Sequence, residues 1–457
     1  MGQPSFATFA AQYGGVLLMP DCQPQGLSID TRNIAADEMF VAIKGQNFDG
    51  HNFLHQAMQK GAAGLVVDTP ARDIAAPQWV VEDTTRALGQ IAREVRLAST
   101  AKVAGITGST GKTTVKTMLA TILDLGGPVV ATEGNLNNEI GVPLTVIRLQ
   151  SQHRFAVVEM GAAQLGDINY LGQIAMPDVA LVNNVGVAHL ERFGSRKNIV
   201  LAKGEIYESL GQEGIAVINL DTEGADHFSA IAPRQRVLFS VRPGCGADIW
   251  VDKVQLNETG SQFELCTADW SIQIESHFFG QSNVENALAA AAIAVALEFE
   301  PAQIKEGLGR ARPVSGRLTL REGLQGAKVF DDSYNANPVS VKAAIKTMKQ
   351  FAGRSVLVFG DMGELGPESA GLHEEIGAFA EAEGVDLLLG YGELAGLACK
   401  SFGTGAKHFV DFDELATSAA SEMAYGDVWL IKGSRSMGLD RLVKKLTNSE
   451  GSQCSSG

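Results

Sequence analysis

The sequence predicts an α/β protein with three domains, and three observations support this prediction. With 457 residues, the chain is about three times as long as a typical domain of roughly 150 residues. Short apolar segments typical of buried strands alternate with helical segments, which favours parallel sheets covered by helices. One strand, at residues 103–107, leads through a glycine-rich turn into an amphipathic helix. We therefore predict a central parallel-sheet domain with a phosphate-binding loop (P-loop), flanked by a small α/β domain and a Rossmann-like C-terminal domain.

The charge and composition of the chain exclude several classes of function. The net charge is −15, so general binding to the phosphate backbone of nucleic acid is not expected, and any phosphate site must be local. The chain has neither an apolar run long enough to span a bilayer nor the features of a signal peptide. Its five cysteines are scattered and form no CxxC, so neither a disulfide framework nor a zinc site is indicated. We expect a soluble, cytoplasmic protein without membrane insertion.

Residues 1–84 are predicted to form the first domain. Strands at residues 39–43 and 64–67 flank a helix at residues 55–60. The polar turns around these elements contain Ser28, Arg32, Gly45, Asp49 and Gly50. Two interpretations stay open: these residues are turn caps and a surface ion pair, or they line a site for an anionic ligand.

Residues 85–313 are predicted to form the central domain, which contains the P-loop. The loop and the first helical turn comprise Gly108, Ser109, Thr110, Gly111, Lys112, Thr113 and Thr114. Backbone N–H groups in such a turn, together with the helix N-terminus, bind phosphate oxygens. Lys112 would reach the β- and γ-phosphates, and the Thr113 hydroxyl would hold Mg²⁺. Ile106 stands where the strict pattern has a glycine, so the motif is a variant, and the alternative is an ordinary glycine turn with a surface lysine.

A carboxylate in the same domain ends the apolar strand at residues 155–159. Ligands bind at the carboxyl ends of the strands in an open parallel sheet, so Glu159 is placed to hold Mg²⁺ opposite Lys112. The alternative is a surface glutamate at a strand end. From residue 236 to residue 276 the pattern alternates with period two, which predicts a small antiparallel sheet attached to this domain.

Residues 314–447 are predicted to form the third domain, a second α/β sheet without a P-loop of its own. Strands are predicted at residues 355–359, 385–389 and 428–431, and helices at residues 339–351 and 371–383. The remaining tail, residues 448–457, is predicted to be disordered.

Several motifs, in the right order along the chain, resemble the Mur ligase family. In the first domain they are SIDTR (28–32) and FVAIKGQNFDGHNF (40–53). In the central domain they are TGSTGKTT (107–114), EMGA (159–162), NNVGVAHLERFGS (183–195), AKGEI (202–206) and SNVENALAA (282–290). In the third they are SGR (315–317), DDSYNANPVS (331–340) and GDMGELG (360–366). YNANP stands where relatives that take a diamino acid have a DNPR-type motif, which favours the dipeptide-adding branch.

The resemblance implies an ATP-dependent ligase that adds D-alanyl-D-alanine to UDP-N-acetylmuramoyl-tripeptide. The expected reaction passes through an acyl phosphate, in the last cytoplasmic step of peptidoglycan precursor synthesis. ATP and two Mg²⁺ ions are implied, and a monomer is expected. The first-domain turn residues would then bind the UDP part of the substrate.

The resemblance also implies roles for individual residues. Lys112, Asn138, His189 and Lys203 are expected to be catalytic, and Thr113, Glu159, His189 and Lys203 to hold Mg²⁺. A lysine amine is a poor Mg²⁺ ligand, so Lys203 is expected as a carbamate. Asn138 is expected near the metal and the substrate carboxylate, and Asn286 at the adenine. Arg317 is expected at the γ-phosphate and Asp331 near the ribose or phosphate once the third domain closes. The candidates for the dipeptide are Tyr334, Asn335, Asn337, Ser340 and Arg435.

Simpler interpretations and other functions stay open at this point. Singly, Lys203 could be a solvated charge, His189 a structural histidine, and the asparagine-rich turn before Pro338 a plain helix start. A ligase of the folylpolyglutamate synthase type is one alternative function, which the uridine-site pattern of the first domain disfavours. A non-catalytic nucleotide-binding regulator is another, which the complete set of candidate site residues disfavours.

Overall fold

The computed structural model describes residues 4–45, 48–186 and 190–447, and its strands form three sheets. Helices (α) and strands (β) are numbered along the chain. The tail that was predicted to be disordered, residues 448–457, lies outside the described residues. Within the described part, no helix combines the length and the apolar character needed to cross a membrane.

The first sheet has five strands and lies in the N-terminal part of the chain. Its elements are α1 Phe6–Tyr13, β1 Val16–Leu18, β2 Gly26–Ser28, β3 Glu38–Val41, α2 Leu54–Gln59, β4 Gly64–Val67, β5 Gln78–Val80 and α3 Thr84–Ala98. The strand order is β1-β5-β4-β3-β2, with β1 antiparallel to β5 and the other neighbours parallel. The carboxyl ends of β2 and β3 are therefore side by side, and the polar turns predicted to bind UDP follow these two strands.

Helix α3 connects the first sheet with the second. Asp83 caps it by accepting hydrogen bonds from the backbone N–H groups of Thr85 and Arg86 at 2.8 and 3.0 Å. Leu88 and Ile91 pack into the core of the first sheet, whereas Ala92 packs into a core of the second. One helix thus contributes to two cores, and the boundaries predicted at 84–85 and 313–314 stay predictions.

The second sheet has nine strands and contains the P-loop. Its elements are β6 Lys102–Thr107, α4 Lys112–Asp124, β7 Val129–Ala131, α5 Gly141–Ile147, β8 Phe155–Glu159, α6 Asp167–Ala175, β9 Val179–Val182, α7 Leu190–Phe193, α8 Arg196–Glu208, β10 Ile215–Asn219, α9 Ala225–Ile231, β11 Arg236–Ser240, β12 Ile249–Asn257, β13 Gly260–Thr267, β14 Ser271–Ser276, α10 Gln281–Ala296 and α11 Pro301–Arg310. The order is β14-β13-β12-β11-β10-β9-β6-β8-β7. Because β6 lies between β8 and β9, and all three are parallel, the P-loop after β6 is flanked by the carboxyl ends of both neighbours.

The antiparallel strands extend this sheet rather than forming one of their own. Strand β13 is antiparallel to both of its neighbours, β12 and β14, as the alternation predicted. Strand β11, which the same alternation included, is instead parallel to both β10 and β12. A period of two shows that one face of a strand is buried, but it does not determine the direction of the neighbouring strand.

The third sheet has six strands. Its elements are β15 Thr319–Glu322, β16 Lys328–Asp332, α12 Pro338–Met348, β17 Ser355–Gly360, α13 Ser369–Ala382, β18 Leu387–Tyr391, α14 Ala395–Phe402, β19 Ala406–Phe409, α15 Phe412–Glu422, β20 Val428–Lys432 and α16 Asp440–Leu446. The order is β15-β16-β20-β17-β18-β19, and only β15 pairs antiparallel within these described strands. The adjacent, parallel strands β16 and β20 end at Asp332 and Lys432, so these two residues are neighbours.

Two consecutive phenylalanines before α10 pack into different cores. Phe278 belongs to the largest core of the second sheet. Phe279 belongs to the core of the third sheet, where its ring centroid lies 5.4 Å from that of Phe330 and 5.8 Å from that of Phe351. The ring of Phe279 therefore anchors the third sheet to the second.

We predict that Phe279→Ala exposes the third sheet and its helices selectively. Removing a buried phenylalanine ring destabilises by roughly 3–5 kcal/mol, and here the loss falls on the contact between two cores. Hydrogen exchange should accelerate in residues 328–351. In the matched control Phe278→Ala, the acceleration should fall on residues 261–294 instead. The same exchange pattern in both variants would contradict the separate roles.

Candidate active site

A cavity of about 1140 Å³ lies between the second and third sheets. It is bounded on one side by the P-loop and on the other by the turn before β15 and the turn after β16. The predicted site residues that line it are Ser109, Thr110, Gly111, Lys112, Thr113, Thr114, Asn138, Glu159, Lys203, Asn286, Arg317, Tyr334, Asn335, Asn337 and Ser340. The structure thus brings together most of the residues predicted for ATP, metal and dipeptide.

The P-loop is held in place by asparagine side chains from two other elements. Gly111 has φ +77°, and a Cβ atom there would collide with the side chain of Asn286. The Asn183 Nδ2 donates to Thr110 O at 3.0 Å and to the Asn286 Oδ1 at 2.9 Å. Asn184 Oδ1 accepts a hydrogen bond from the Thr110 backbone N–H at 2.9 Å. Glycine is therefore required at 111, and Asn286 supports the loop itself in addition to its predicted place at the adenine.

Glu159 is the centre of a buried polar network beside the loop. Its Oε2 accepts a hydrogen bond from the Thr113 hydroxyl at 3.0 Å and lies 3.2 Å from the Lys116 Nζ. Its Oε1 accepts one from the Asn137 Nδ2 at 2.8 Å. Burial alone raises the pKa of this carboxyl group, but Lys112 and Lys116 outweigh it and hold the pKa below its ordinary value. Glu159 is therefore an anionic carboxylate.

Thr113 and Glu159 provide a hydroxyl and a carboxylate oxygen that fit a Mg²⁺ ion. Among the residues that the structure describes, no three His, Cys, Asp or Glu side chains gather in an arrangement that could hold a metal. Mg²⁺ commonly takes one or two carboxylates and completes its shell with waters and substrate phosphates. This donor set therefore suits a metal that is bound together with a nucleotide.

Two lysines lie beside the loop, Lys112 half-buried and Lys203 buried. The Lys112 Nζ donates to Gly108 O at 2.6 Å. Its pKa is lowered by burial, an effect that Glu159 opposes and Arg317 strengthens. Lys203 on α8 is only 3% exposed, and burial together with the charge of Lys112 lowers its pKa well below the ordinary value. Its amine is thus readily neutral. His189, the predicted companion of Lys203, lies outside the described residues.

Arg317 reaches the P-loop from the third domain. Its Nη2 lies 3.5 Å from the Thr113 Oγ1, and its guanidinium carbon lies 3.9 Å from the ring centroid of Tyr334. The sequence prediction expects this contact with the nucleotide site only after domain closure, and the structure has the arginine at the loop.

Asp331 is not among the residues that line the cavity, and its carboxylate is hydrogen-bonded within the third domain. It accepts hydrogen bonds from the Ser333 hydroxyl at 2.6 Å and from the Gly316 backbone N–H at 3.0 Å. The next residue, Asp332, lines the cavity instead, and Lys432 donates to its Oδ2 at 2.6 Å. Asp331 thus orients the turn that carries Arg317, and its direct contact with ATP stays a prediction.

The dipeptide candidates divide into cavity residues and one outlier. Asn337 and Ser340 form a capping box at the start of α12, with Asn337 Oδ1 accepting from the Ser340 N–H at 2.9 Å. The helix-start interpretation is therefore valid for both, although both also line the cavity. Arg435 is exposed outside the cavity lining, 3.8 Å from Asp440 and 5.6 Å from the ring of Tyr334.

The residues predicted to bind UDP lie in the first domain, away from this cavity. Ser28 and Arg32 share one turn, in which the exposed Arg32 pairs with Asp30 at 2.6 Å. Asp49 accepts a hydrogen bond from His51 at 2.7 Å, and Gly50 packs so tightly against Ile43 that a Cβ atom would not fit. The surface ion pair of the simpler interpretation exists, and the anionic-ligand site stays a prediction.

Several site residues escaped the sequence prediction. They are Lys116, Asn137, Asn183, Asn184, Asp332 and Lys432. Lys116 had a detectable signal, since it lies four residues after Lys112 on a helix face that is otherwise apolar. Asn138 lines the cavity as predicted, and its side chain also accepts the Gly141 N–H at 3.0 Å at the start of α5.

Glu285 is a further cavity residue, and its ionisation is unusual. Its side chain is exposed to the cavity, and partial desolvation there, together with the charge of Asp221, raises its pKa to about 7. Asp221 is paired in turn with Arg242 at 2.8 Å.

We predict that Glu285→Gln raises thermal stability more at about pH 8 than at about pH 5.5. A carboxyl group whose pKa rises on folding binds its proton more tightly in the folded chain, so its contribution to stability falls as pH rises from 4.5 through about 7. Replacing the carboxyl group with an uncharged amide removes this loss of stability at high pH. Melting temperatures at both pH values test it, and Glu275→Gln on β14 controls for the removal of one negative charge. A gain that does not change with pH would contradict the prediction.

Comparison with known proteins gives matches along nearly the whole chain. Residues 24–96 match the model of the Mur ligase family catalytic domain, residues 106–294 the Mur ligase middle domain, and residues 316–435 the Mur ligase glutamate ligase domain. The chain is 38% identical over 434 residues to the UDP-N-acetylmuramoyl-tripeptide–D-alanyl-D-alanine ligase of Escherichia coli (strain K12). That alignment covers 94% of this chain and 96% of the relative.

Solved structures are similar over the same extent. A crystal structure of MurF from Acinetobacter baumannii has a TM-score of 0.90 at 33% identity, covering 97% of this chain and 99% of that chain. MurF from Thermotoga maritima in complex with ADP has a TM-score of 0.83 at 28% identity, covering 92% and 96%.

Proposed function

This chain belongs to the Mur ligase family, and we propose that it joins D-alanyl-D-alanine to UDP-N-acetylmuramoyl-tripeptide while converting ATP to ADP and phosphate. The observation that carries the proposal is the shared cavity, in which the P-loop and Arg317 of the third domain face each other. Such a cavity suits a reaction that brings a nucleotide and two further substrates together. We propose that the protein acts in the cytoplasm as a monomer.

The proposed reaction has two steps. A carboxylate is a poor acyl donor, so its oxygen first takes the γ-phosphoryl group of ATP, which forms an acyl phosphate and breaks the bond to ADP. The amine of the dipeptide, having lost its ammonium proton, then attacks the acyl carbon. The amide bond forms as phosphate leaves with the electron pair of the broken C–O bond. A closed cavity keeps water from hydrolysing the acyl phosphate.

The first step requires alignment and charge neutralisation more than covalent help. Lys112 and the backbone of residues 108–114 are proposed to hold the phosphates, and Arg317 to contact the γ-phosphate from the opposite side. Thr113 and Glu159 would hold Mg²⁺, which neutralises phosphate charge when bound. Asn138 would orient the substrate carboxylate, and Asn286 would contact the adenine.

Lys203 and His189 are proposed to hold a second Mg²⁺. The buried Lys203 amine is readily neutral, which is the form that adds to carbon dioxide. The new N–C bond and the loss of a proton convert it into a carbamate with anionic oxygens, which are ligands that Mg²⁺ prefers. A neutral amine next to the cationic Lys112 supports this assignment, because a carbamate would be attracted where an ammonium group is repelled.

We propose that each outer domain binds one of the two other substrates. The turns with Ser28, Arg32, Gly45, Asp49 and Gly50 are proposed to bind the UDP group. The turn with Tyr334, Asn335, Asn337 and Ser340 is proposed to bind the dipeptide, together with Arg435. Asp332 and Lys432, which line the cavity beside that turn, support its polar character.

Phosphate release tests the proposed function. We expect release when ATP, Mg²⁺, the UDP-linked tripeptide and D-alanyl-D-alanine are all present, and loss of release when any one is omitted. Steady release without the dipeptide would indicate another acceptor, and no release in the complete mixture would refute the proposal.

We predict that Lys203→Ala reduces kcat by at least about a hundredfold, the usual scale for the loss of one transition-state contact. Binding of the UDP-linked tripeptide should be unchanged, because Lys203 lies in the central domain. Lys197→Ala, an exposed lysine on the same helix, is the control and should retain full activity. With ¹³C-bicarbonate, the wild-type protein should show a carbamate signal by NMR that Lys203→Ala lacks. Full activity of Lys203→Ala would refute the carbamate.

A further inference from the structure

We propose that Tyr334 is a positioning residue that holds the guanidinium group of Arg317 against the P-loop, and that it links the dipeptide turn to phosphoryl transfer. This inference rests on the proposed function, which places Arg317 at the γ-phosphate. It gives Tyr334 a role in the first step of the reaction, before the dipeptide attacks.

The arginine and the ring are in direct contact. The guanidinium carbon of Arg317 lies 3.9 Å from the centroid of the Tyr334 ring, well within the range of a cation–π interaction. The Nη2 of the same group lies 3.5 Å from the Thr113 hydroxyl. A long side chain with several rotatable bonds therefore has one face fixed by the ring and one edge directed at the P-loop.

Hydrogen bonds on both sides of Arg317 hold its turn against the turn that contains Tyr334. The Tyr334 N–H donates to Gly316 O at 3.2 Å, and the Leu318 N–H donates to the Asp332 Oδ1 at 3.0 Å. Gly316 has φ +78°, and a Cβ atom there would lie 3.2 Å from the Tyr334 Cβ. The residue between these ties, Arg317, is thus placed over the ring by the local structure of the third domain.

The aromatic face also serves an electrostatic purpose. Arg317 lies beside a loop that already contains the cationic Lys112, and like charges repel. The negative face of the tyrosine ring offsets part of that repulsion and keeps the guanidinium group in place. The nucleotide then meets a preformed pair of cations, which reduces the ordering needed on binding.

The same ring is shared with a second arginine. The guanidinium carbon of Arg435 lies 5.6 Å from the Tyr334 centroid. Arg435 is a candidate for the dipeptide, so Tyr334 stands between a group directed at ATP and a group proposed for the second substrate. A shift of this ring on dipeptide binding would therefore change the position of the Arg317 guanidinium group.

Substitutions that keep or remove the ring test the proposal. Tyr334→Phe keeps the aromatic face, whereas Tyr334→Leu keeps apolar bulk without it, and Tyr334→Met is a second ring-free variant should the leucine protein fold poorly. Phe412→Leu is the matched control, since Phe412 stacks with Arg441 at 4.1 Å away from the cavity. Thermal unfolding of every variant reports on its folding.

Two measurements decide the outcome. The first is formation of the acyl phosphate without the dipeptide, trapped by hydroxylamine as a hydroxamate in a single turnover. The second is binding of a non-hydrolysable ATP analogue with Mg²⁺, which needs no acceptor substrate. We expect Tyr334→Leu and Tyr334→Met to slow the first step about tenfold and to weaken analogue binding several-fold, as loss of a cation–π contact would. Phe412→Leu should stay within about twofold of wild type in both measurements, and Tyr334→Phe, which keeps the ring, should lose much less than Tyr334→Leu.

A double mutant tests whether Tyr334 acts through Arg317. In an Arg317→Ala background, Tyr334→Leu should cause little further loss, because the ring acts through the arginine. If Tyr334→Leu leaves the first step and analogue binding unchanged and raises only the KM for the dipeptide, the inference is wrong and the residue is a dipeptide contact. Equal losses in the Phe and Leu variants would also overturn it, since the hydroxyl group would then be the active feature. Wild-type protein that forms no hydroxamate would refute the proposed function, and the binding measurement would still decide the role of Tyr334.

Discussion

The buried carboxylate of Glu159 is the constraint on which the rest of the site depends. A charge at 2% exposure is tolerated only if it is paired and hydrogen-bonded, and here Lys116, Asn137 and Thr113 do both. These partners come from helix α4 and from the loop after β7, so the carboxylate fixes both against the end of β8. Lys116 adds a further tie, donating to Gly134 O at 2.9 Å. The P-loop and the neighbouring Asn138 are thereby held in one rigid frame.

This frame explains why an acidic protein has a site suited to phosphate. Around the P-loop, Lys112 interacts electrostatically with Glu159, Arg317 and Lys203, whereas Asp221 interacts with Glu285 on the cavity wall. Burial and mutual repulsion bring Lys203 toward its neutral form. A triphosphate would relieve that repulsion, so the local charge favours the nucleotide although the net charge of the chain is −15.

The sequence predicted what depends on local pattern and missed what depends on three-dimensional neighbours. The P-loop, the strand ending in Glu159 and the helix with Lys203 each have a local signature, and the structure has them in one cavity. The direction of β11 could not be predicted, because alternation carries no information about the partner strand. From the sequence, the adjacent residues Asp331 and Asp332 are equally good candidates for the site. Only the alternation of side chains along β16 decides which of them faces the cavity. Lys432 becomes a site residue only because β20 pairs with β16.

The contact between Arg317 and Thr113 spans 204 positions of sequence, so it exists only when the second and third domains are correctly apposed. The Phe279 anchor holds this apposition at a point remote from the loop, and the paired turns around Gly316 and Tyr334 fix the direction of the arginine. Asp331 also holds this turn, since its carboxylate accepts a hydrogen bond from the Gly316 N–H. The phosphate side of the cavity is therefore assembled from two cores that fold around separate sheets, and the chemistry becomes available only where both are present. Neither domain alone presents both the loop and the arginine, so the proposed γ-phosphate site requires both domains.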